Sequence, residues 1–139
     1  MKRLLAVLLC IFYLASCTQQ SDNDGQKIFV NRKKFDIDFM NVDVNFVVIK
    51  CADIKQNPAD YYGKTIRVGG YCYNETDADH ITTTHYLMVI DEDGTEEIAL
   101  EFRAQDNYYP ENDTIIEVDG VITALNGVYF IDTEGVIFL

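Results

Sequence analysis

Asn57-Pro58-Ala59-Asp60-Tyr61-Tyr62-Gly63-Lys64-Thr65-Ile66-Arg67-Val68-Gly69-Gly70-Tyr71-Cys72-Tyr73 is the stretch on which the fold turns, because the period of the apolar pattern changes inside it. Upstream, Val44, Val47, Val48, Cys51 and Ile54 recur at three- and four-residue steps, which places them on one face of a helix over residues 43–56. Asn41 or Asp43 is positioned to cap its start. Pro58 ends it, since the residue before a proline is biased out of the α region. The competing reading of the same segment is a buried strand through Phe46-Val47-Val48-Ile49. Downstream of Gly63-Lys64 the step becomes two: Ile66, Val68 and Cys72 alternate with Arg67, Gly69, Tyr71 and Tyr73.

The two-residue period persists to the C-terminus. Tyr86 to Ile90 is a short apolar run. Ile98, Leu100 and Phe102 alternate with Ala99, Glu101 and Arg103; Ile116, Val118 and Ile122 alternate with Glu117, Asp119 and Val121. Val128 to Ile131 and Val136 to Leu139 complete the set. Asn126-Gly127 is a strong hairpin signal, because a type I′ turn needs positive φ at both central residues, and Asp93-Gly94 suggests a second hairpin. The expected fold is mostly β, with helix 43–56 preceding a small five-stranded barrel, closed or nearly so. Closure hides sheet edges that would otherwise invite aggregation.

Upstream of residue 43 the order is lost. Phe35, Ile37 and Phe39 alternate, as in a strand or an extended arm. Residues 18–25 are polar and of tether composition. At the amino terminus, Lys2 and Arg3 precede an apolar run from Leu4 to Tyr13, too short to span a bilayer as a helix and read as a secretory signal. Leu14-Ala15-Ser16-Cys17 resembles the bacterial lipobox. That resemblance implies a diacylglyceryl thioether on Cys17 and cleavage just before it. The implied organisation is a signal peptide over 1–16, a lipidated tether with a basic patch over 17–34, and one domain over 35–139.

Charge limits the partners. The chain carries a formal −12; without residues 1–16, which hold two basic and no acidic side chains, 9 basic and 23 acidic remain, or −14. From Phe35 onward there are 5 basic and 21 acidic residues, or −16. Such a field disfavours nucleic acid, whose binding relies on Lys and Arg, and repels an anionic membrane. Arg32-Lys33-Lys34 is the exception and suits such a surface.

Asn57-Pro58 through Gly70 resembles the N-P-x-x-Y-x-G-K-x-(V/I)-x-(V/I)-x-G segment of small OB-fold lipoproteins of Gram-positive type, a largely uncharacterised group. The resemblance covers roughly residues 43–124, with Val118-Asp119-Gly120-Val121 in the fourth strand. It implies an OB-like fold and no particular activity. Members often carry a Cys-Cys pair near the third strand, whereas Glu96 to Phe102 has none, so no role of that pair transfers. Ala104 to Asp113 is also short for the helix that many OB barrels place there.

Candidate sites are few. OB barrels bind ligands over two strands and the adjacent loops, and tyrosines supply rigid contact area, so Tyr71, Tyr73, Tyr86, Tyr108 and Tyr109 are candidate ligand contacts. Asp91, Asp93 and Glu96 lie in an oxygen-rich, glycine-broken loop that could take calcium, although EF-hand spacing is absent and an acidic hairpin turn explains it equally. Asp77, Asp79, His80 and His85 share one loop and offer transition-metal donors. Cys51 and Cys72 either form a disulfide, which an exported compartment permits, or act as two small buried hydrophobes. No nucleophile–base pair is legible and no cofactor is implied. The expected function is a non-enzymatic, membrane-anchored extracytoplasmic binding or structural module whose partner is a glycan, a cationic peptide or an envelope protein, not nucleic acid. The alternative is a calcium-modulated envelope accessory domain using residues 91–97.

Overall fold

Asp43 starts the one α-helix among the described residues. In the computed structural model, which describes residues 33–139, its carboxylate accepts the backbone N–H groups of Asn45 (3.0 Å) and Phe46 (3.3 Å). A helix leaves such first-turn donors unpaired unless a side chain takes them. Helix α1 runs Val44–Gln56, so the competing strand through Phe46–Ile49 is not formed. Val47, Val48, Cys51 and Ile54 are buried on its inner face, as the spacing predicts, and Val44 is half-buried. Asp53 holds the exit together. Its carboxylate accepts Asn57 Nδ2 at 2.8 Å and the Tyr61 hydroxyl, while its carbonyl accepts the Asn57 N–H. A single 3₁₀ turn, Pro58–Tyr61, follows. Gly63, at φ +80°, then turns the chain into the sheet.

The strands are β1 (Ile37–Asp38), β2 (Thr65–Thr76), β3 (Thr83–Ile90), β4 (Glu97–Ala104), β5 (Ile115–Leu125) and β6 (Val128–Phe138). They form one six-stranded sheet in the order β1-β2-β3-β4-β6-β5, with a further pairing of β2 with β5. Five strands therefore pair in a ring, from β2 through β3, β4, β6 and β5 and back to β2. The expected five strands become six because Ile37–Asp38 pairs in parallel with Ile66–Arg67; two residues of alternation upstream of the helix are too little signal to separate a strand from an arm. Val128–Ile131 and the expected Val136–Leu139 segment, short of Leu139, belong to one continuous strand, Val128–Phe138. Asn126 (φ 54°) and Gly127 (φ +83°) form the expected turn between β5 and β6.

Alternation sorts the side chains. Ile66, Val68, Cys72, Leu87, Val89, Leu100, Phe102, Ile116, Val118, Ile122 and Ile131 form the core with the inner face of α1. The strands approach closely at two glycines. A Cβ at Gly70 would strike the Met88 carbonyl oxygen, and one at Gly120 would strike the Asp132 carbonyl oxygen and the Ile131 side chain. Beside Gly120, β6 carries an extra residue. Val118 pairs with Val136 but Gly120 pairs with Thr133. The buried Thr133 hydroxyl donates to the Gly135 carbonyl at 2.7 Å, satisfying the backbone that this bulge frees.

Glu117 departs from the alternation. The sequence places it outward, yet it is only 8% exposed. Arg67 lies over it at 3.3 Å while bonding both oxygens of Asp119 at 3.0 and 3.2 Å. Phe35 in turn roofs Arg67, its ring 4.5 Å from the guanidinium carbon. Asp36 fixes this arm through reciprocal bonds with Thr65: its N–H donates to Thr65 Oγ1, and its carboxylate accepts the Thr65 N–H and hydroxyl, all at 2.9 Å. Desolvation pushes the Glu117 carboxyl above its ordinary 4.5 despite Arg67.

Candidate binding site

The outward side chains of β2, β3 and β4 form rows fixed by register. Tyr73 faces Tyr86, which faces Glu101; Tyr71 faces Met88, which faces Ala99. Tyr71 and Tyr73 are 40% and 42% exposed. Two clefts open on this surface. One, of about 350 Å³, is lined by Tyr86, Glu101, Tyr129 and Phe130, with Lys55 and Pro58 from the helix end and Leu100, Ile122 and Ile131 at its floor. The other, of about 440 Å³, is lined by Tyr71, Tyr73, Met88, Ile90, Glu97 and Asp113.

Charge in the first cleft is arranged by Arg103. Its Nη2 and Nε both donate to Glu101 Oε1, at 2.8 and 2.9 Å, and its guanidinium lies 3.9 Å from the centre of the Phe130 ring. Glu101 and Phe130 are thereby held in place, while Lys55 is exposed at the rim. The cleft offers aromatic faces, one paired carboxylate and one ammonium. With Glu101 neutralised by Arg103, this set suits an uncharged ligand that stacks on aromatic rings.

The five candidate tyrosines do not form a single face. Tyr71, Tyr73 and Tyr86 share the outer surface of β2 and β3. Tyr108 lies apart, its ring centre 6.1 Å from that of Phe138. Tyr109 turns in and stacks on His85, 3.4 Å between ring centres and 8° between planes. The sequence reading missed Tyr129, Phe130, Glu101 and Lys55. Phe130 and Ile131 stand in one apolar run, and nothing in that run says which faces out.

His85 belongs to the interior. Asn74 Nδ2 donates to the Pro110 carbonyl at 2.8 Å, so Asn74 Oδ1 is the acceptor for His85 Nδ1–H at 2.7 Å. The neutral imidazole is therefore protonated on Nδ1. Burial lowers its pKa from the ordinary 6.5. Asp77 uses its carboxylate on the Ile81 and Thr82 N–H groups at 2.9 and 3.2 Å. His85, Asp77, Asp79 and His80 are thus not brought together as a metal site.

Asp91, Asp93 and Glu96 do not converge either. The Asp91 carboxylate accepts the Thr95 N–H and hydroxyl and the Glu96 N–H, at 2.8, 2.9 and 3.1 Å. It caps the β3–β4 turn, where Gly94 adopts φ +70°. Among the described residues, no group of three or more His, Cys, Asp or Glu side chains is gathered for a metal ion. Cys51 and Cys72 are buried and free, so the disulfide alternative is not formed here. Burial pushes the Cys51 thiol up to about 12, and Cys72 lies 3.4 Å from the Pro110 carbonyl. No described helix is long and apolar enough to cross a membrane. Cys17 lies outside the described residues.

Compared with known proteins, the chain matches no family model, and a search of curated proteins returns no significant match.

Proposed function

We propose that this is a membrane-anchored, extracytoplasmic lipoprotein whose OB-like barrel is a non-enzymatic binding module. The ring of strand pairings, β2-β3-β4-β6-β5 and back to β2, supports the barrel. The basic start, short apolar run and Leu14-Ala15-Ser16-Cys17 support the anchor. The observation that carries binding is the cleft of Tyr86, Tyr129, Phe130 and Glu101, in which Arg103 holds Glu101 and Phe130 in place before any ligand arrives. The net acidity of the domain favours a neutral glycan, a cationic peptide or a basic surface of an envelope protein over nucleic acid. Titration against a panel of neutral cell-wall oligosaccharides, cationic peptides and an anionic oligonucleotide tests this reading. The expected result is saturable binding of the first or second class with chemical-shift changes confined to the lining of that cleft on β3, β4, the start of β6, the end of α1 and Ile122. Preference for the oligonucleotide, or shifts elsewhere, contradicts it.

A further inference from the structure

The end of α1 stands beside a fork in the sheet. Strands β4 and β6 pair in parallel only over Phe102–Ala104 and Ile131–Thr133. Before that point β4 pairs with β3 alone, and β6 with β5 alone. The cleft of Tyr86, Tyr129 and Phe130 lies in this fork, where Ala99, Leu100 and Glu101 of β4 line it together with the start of β6.

Neighbouring hydrogen bonds fix which backbone groups face the fork. Ile122 donates to the Lys64 carbonyl and accepts the Gly63 N–H, so its backbone faces the start of β2 and not β6. Its partner Ile131 therefore turns its own N–H and C=O away from β5, and Tyr129, two residues earlier, does the same. On β4 the phase follows from Cys72, which donates to the Thr114 carbonyl and accepts the Asp113 N–H. Cys72 thus makes no backbone bond to its partner Leu87, and Leu87 bonds Leu100 instead. Ala99, one residue away, then turns its N–H and C=O away from β3. The backbones of Tyr129 and Ala99 open into the cleft with no strand paired to them. An unpaired strand edge is a template for another extended chain.

We infer that the cleft takes an extended peptide, which adds as a strand to the β6 edge at Tyr129 and lays an uncharged side chain against the aromatic lining, with basic residues on its flanks. The inference rests on the reading of this cleft as the binding site and names the class of its ligand. A peptide presents N–H and C=O groups in the alternation that the Tyr129 edge requires, and a sugar ring does not. The side chain in the cleft is uncharged because Arg103 already neutralises Glu101. Charge selects the flanks. Glu97, two residues before Ala99 on β4, and Asp132, two residues beyond Phe130 on β6, have no ion pair among the described residues. More widely, residues 65–139 hold two arginines, both ion-paired, against 16 carboxylates. Lys55, the other charged residue of the lining beside Glu101, suits a peptide carbonyl at the centre rather than a basic side chain.

The full-length protein is titrated with a pool of acetylated, amidated peptides Lys-Tyr-X-Tyr-X-Lys, in which X is Val, Ile or Thr, and separately with chitotetraose as a neutral sugar. Amide chemical shifts and hydrogen exchange are read. The expected result is peptide binding that protects the Tyr129 amide. N-methylation of one alternate set of peptide residues should weaken it about tenfold or more, and of the other set much less, because alternate N–H groups of a strand face one edge. Tyr129→Pro removes an N–H that β5 does not use, whereas Tyr129→Ala removes the ring alone. The proline variant should bind about fivefold more weakly than the alanine variant. Glutamine in place of the peptide lysines, or Glu97→Gln with Asp132→Asn, should also weaken binding, and more so at low salt. If Tyr129→Pro fails to fold, the N-methyl comparison decides. Equal effects of the two N-methyl sets, or an unprotected Tyr129 amide, overturn the inference. So does a lack of peptide binding: chitotetraose shifts in the cleft would then leave the binding module standing, and no shifts from either ligand would remove both readings.

Discussion

The Tyr109 ring lies flat on the His85 imidazole, 3.4 Å between centres, and closes one end of the core. Tyr109 Oη accepts the Ala104 N–H at 3.0 Å, and the Asn74 N–H donates to Asn112 Oδ1 at 2.7 Å, so the segment after β4 is fastened to β2 and β4. His85 is neutral in this setting, because burial depresses its pKa below the ordinary 6.5. Between these two values the unfolded chain binds the extra proton, so stability falls as pH drops through that window and levels off below the folded-state pKa. Urea denaturation between pH 7 and pH 5 should show this loss, and His85→Gln, which keeps a donor for Asn74, should flatten it. An unchanged slope in the variant would remove His85 as its source.

Glu117 titrates with the opposite sign. Its carboxyl is raised above 4.5 by burial, so its contribution is complete below that value and is lost as pH rises through the folded-state pKa. Arg67 offsets that cost. Replacing Arg67 with Met strands Glu117 beside Asp119 and should destabilise the domain at pH 7, by less than the loss of one partner of a fully buried pair would. The penalty should shrink at pH 4.5, where Glu117 can take a proton. Equal penalties at both pH values would mean that lost packing against Phe35, not charge, is responsible.

Strand approach at Gly120 gives a packing test. Gly120→Ala drives a methyl group into the Asp132 carbonyl and the Ile131 side chain and should cost about 1–3 kcal/mol. Gly69→Ala is the control, since a Cβ there meets its nearest neighbour, Leu139 Cδ1, at 3.5 Å. A stability change within about 0.5 kcal/mol is expected for it. Equal effects of the two substitutions would be inconsistent with the close approach of β5 and β6.

The first cleft is tested by truncating its walls. Tyr86→Ala and Phe130→Ala should each weaken ligand binding at least tenfold while leaving the melting temperature nearly unchanged, because both side chains are only partly buried. Tyr108→Ala, away from the cleft, should bind as the wild type does. Loss confined to Tyr108→Ala would move the site to the Tyr108–Phe138 pair.

Much of the fold was legible because the period of the apolar residues is a direct consequence of helix and strand geometry. The change of step at Gly63-Lys64 separates α1 from β2, and Asn126-Gly127 marks the β5–β6 turn by its demand for positive φ. Less was legible where tertiary contact overrides the local pattern. Glu117 stands at an outward position of the sequence pattern yet is buried, because an arm some 80 residues earlier, at Phe35, covers its partner Arg67. The same limit applied to the candidate site. Tyr109 and Tyr108 are sequence neighbours, but one turns inward onto His85 and the other outward. Phe130 acquires its place through Arg103, on a strand reached only by the β4–β6 pairing.

The proposed anchor rests on Cys17, and anchoring there would set where every other property acts. Intact-mass analysis of the protein purified from membranes, with parallel fatty-acid labelling, measures it directly. The expected result is a mature chain that begins at Cys17 and bears a diacylglyceryl adduct, with both label and membrane association lost in Cys17→Ala. A mature amino terminus elsewhere, an unmodified Cys17, or label that persists in the variant would contradict it.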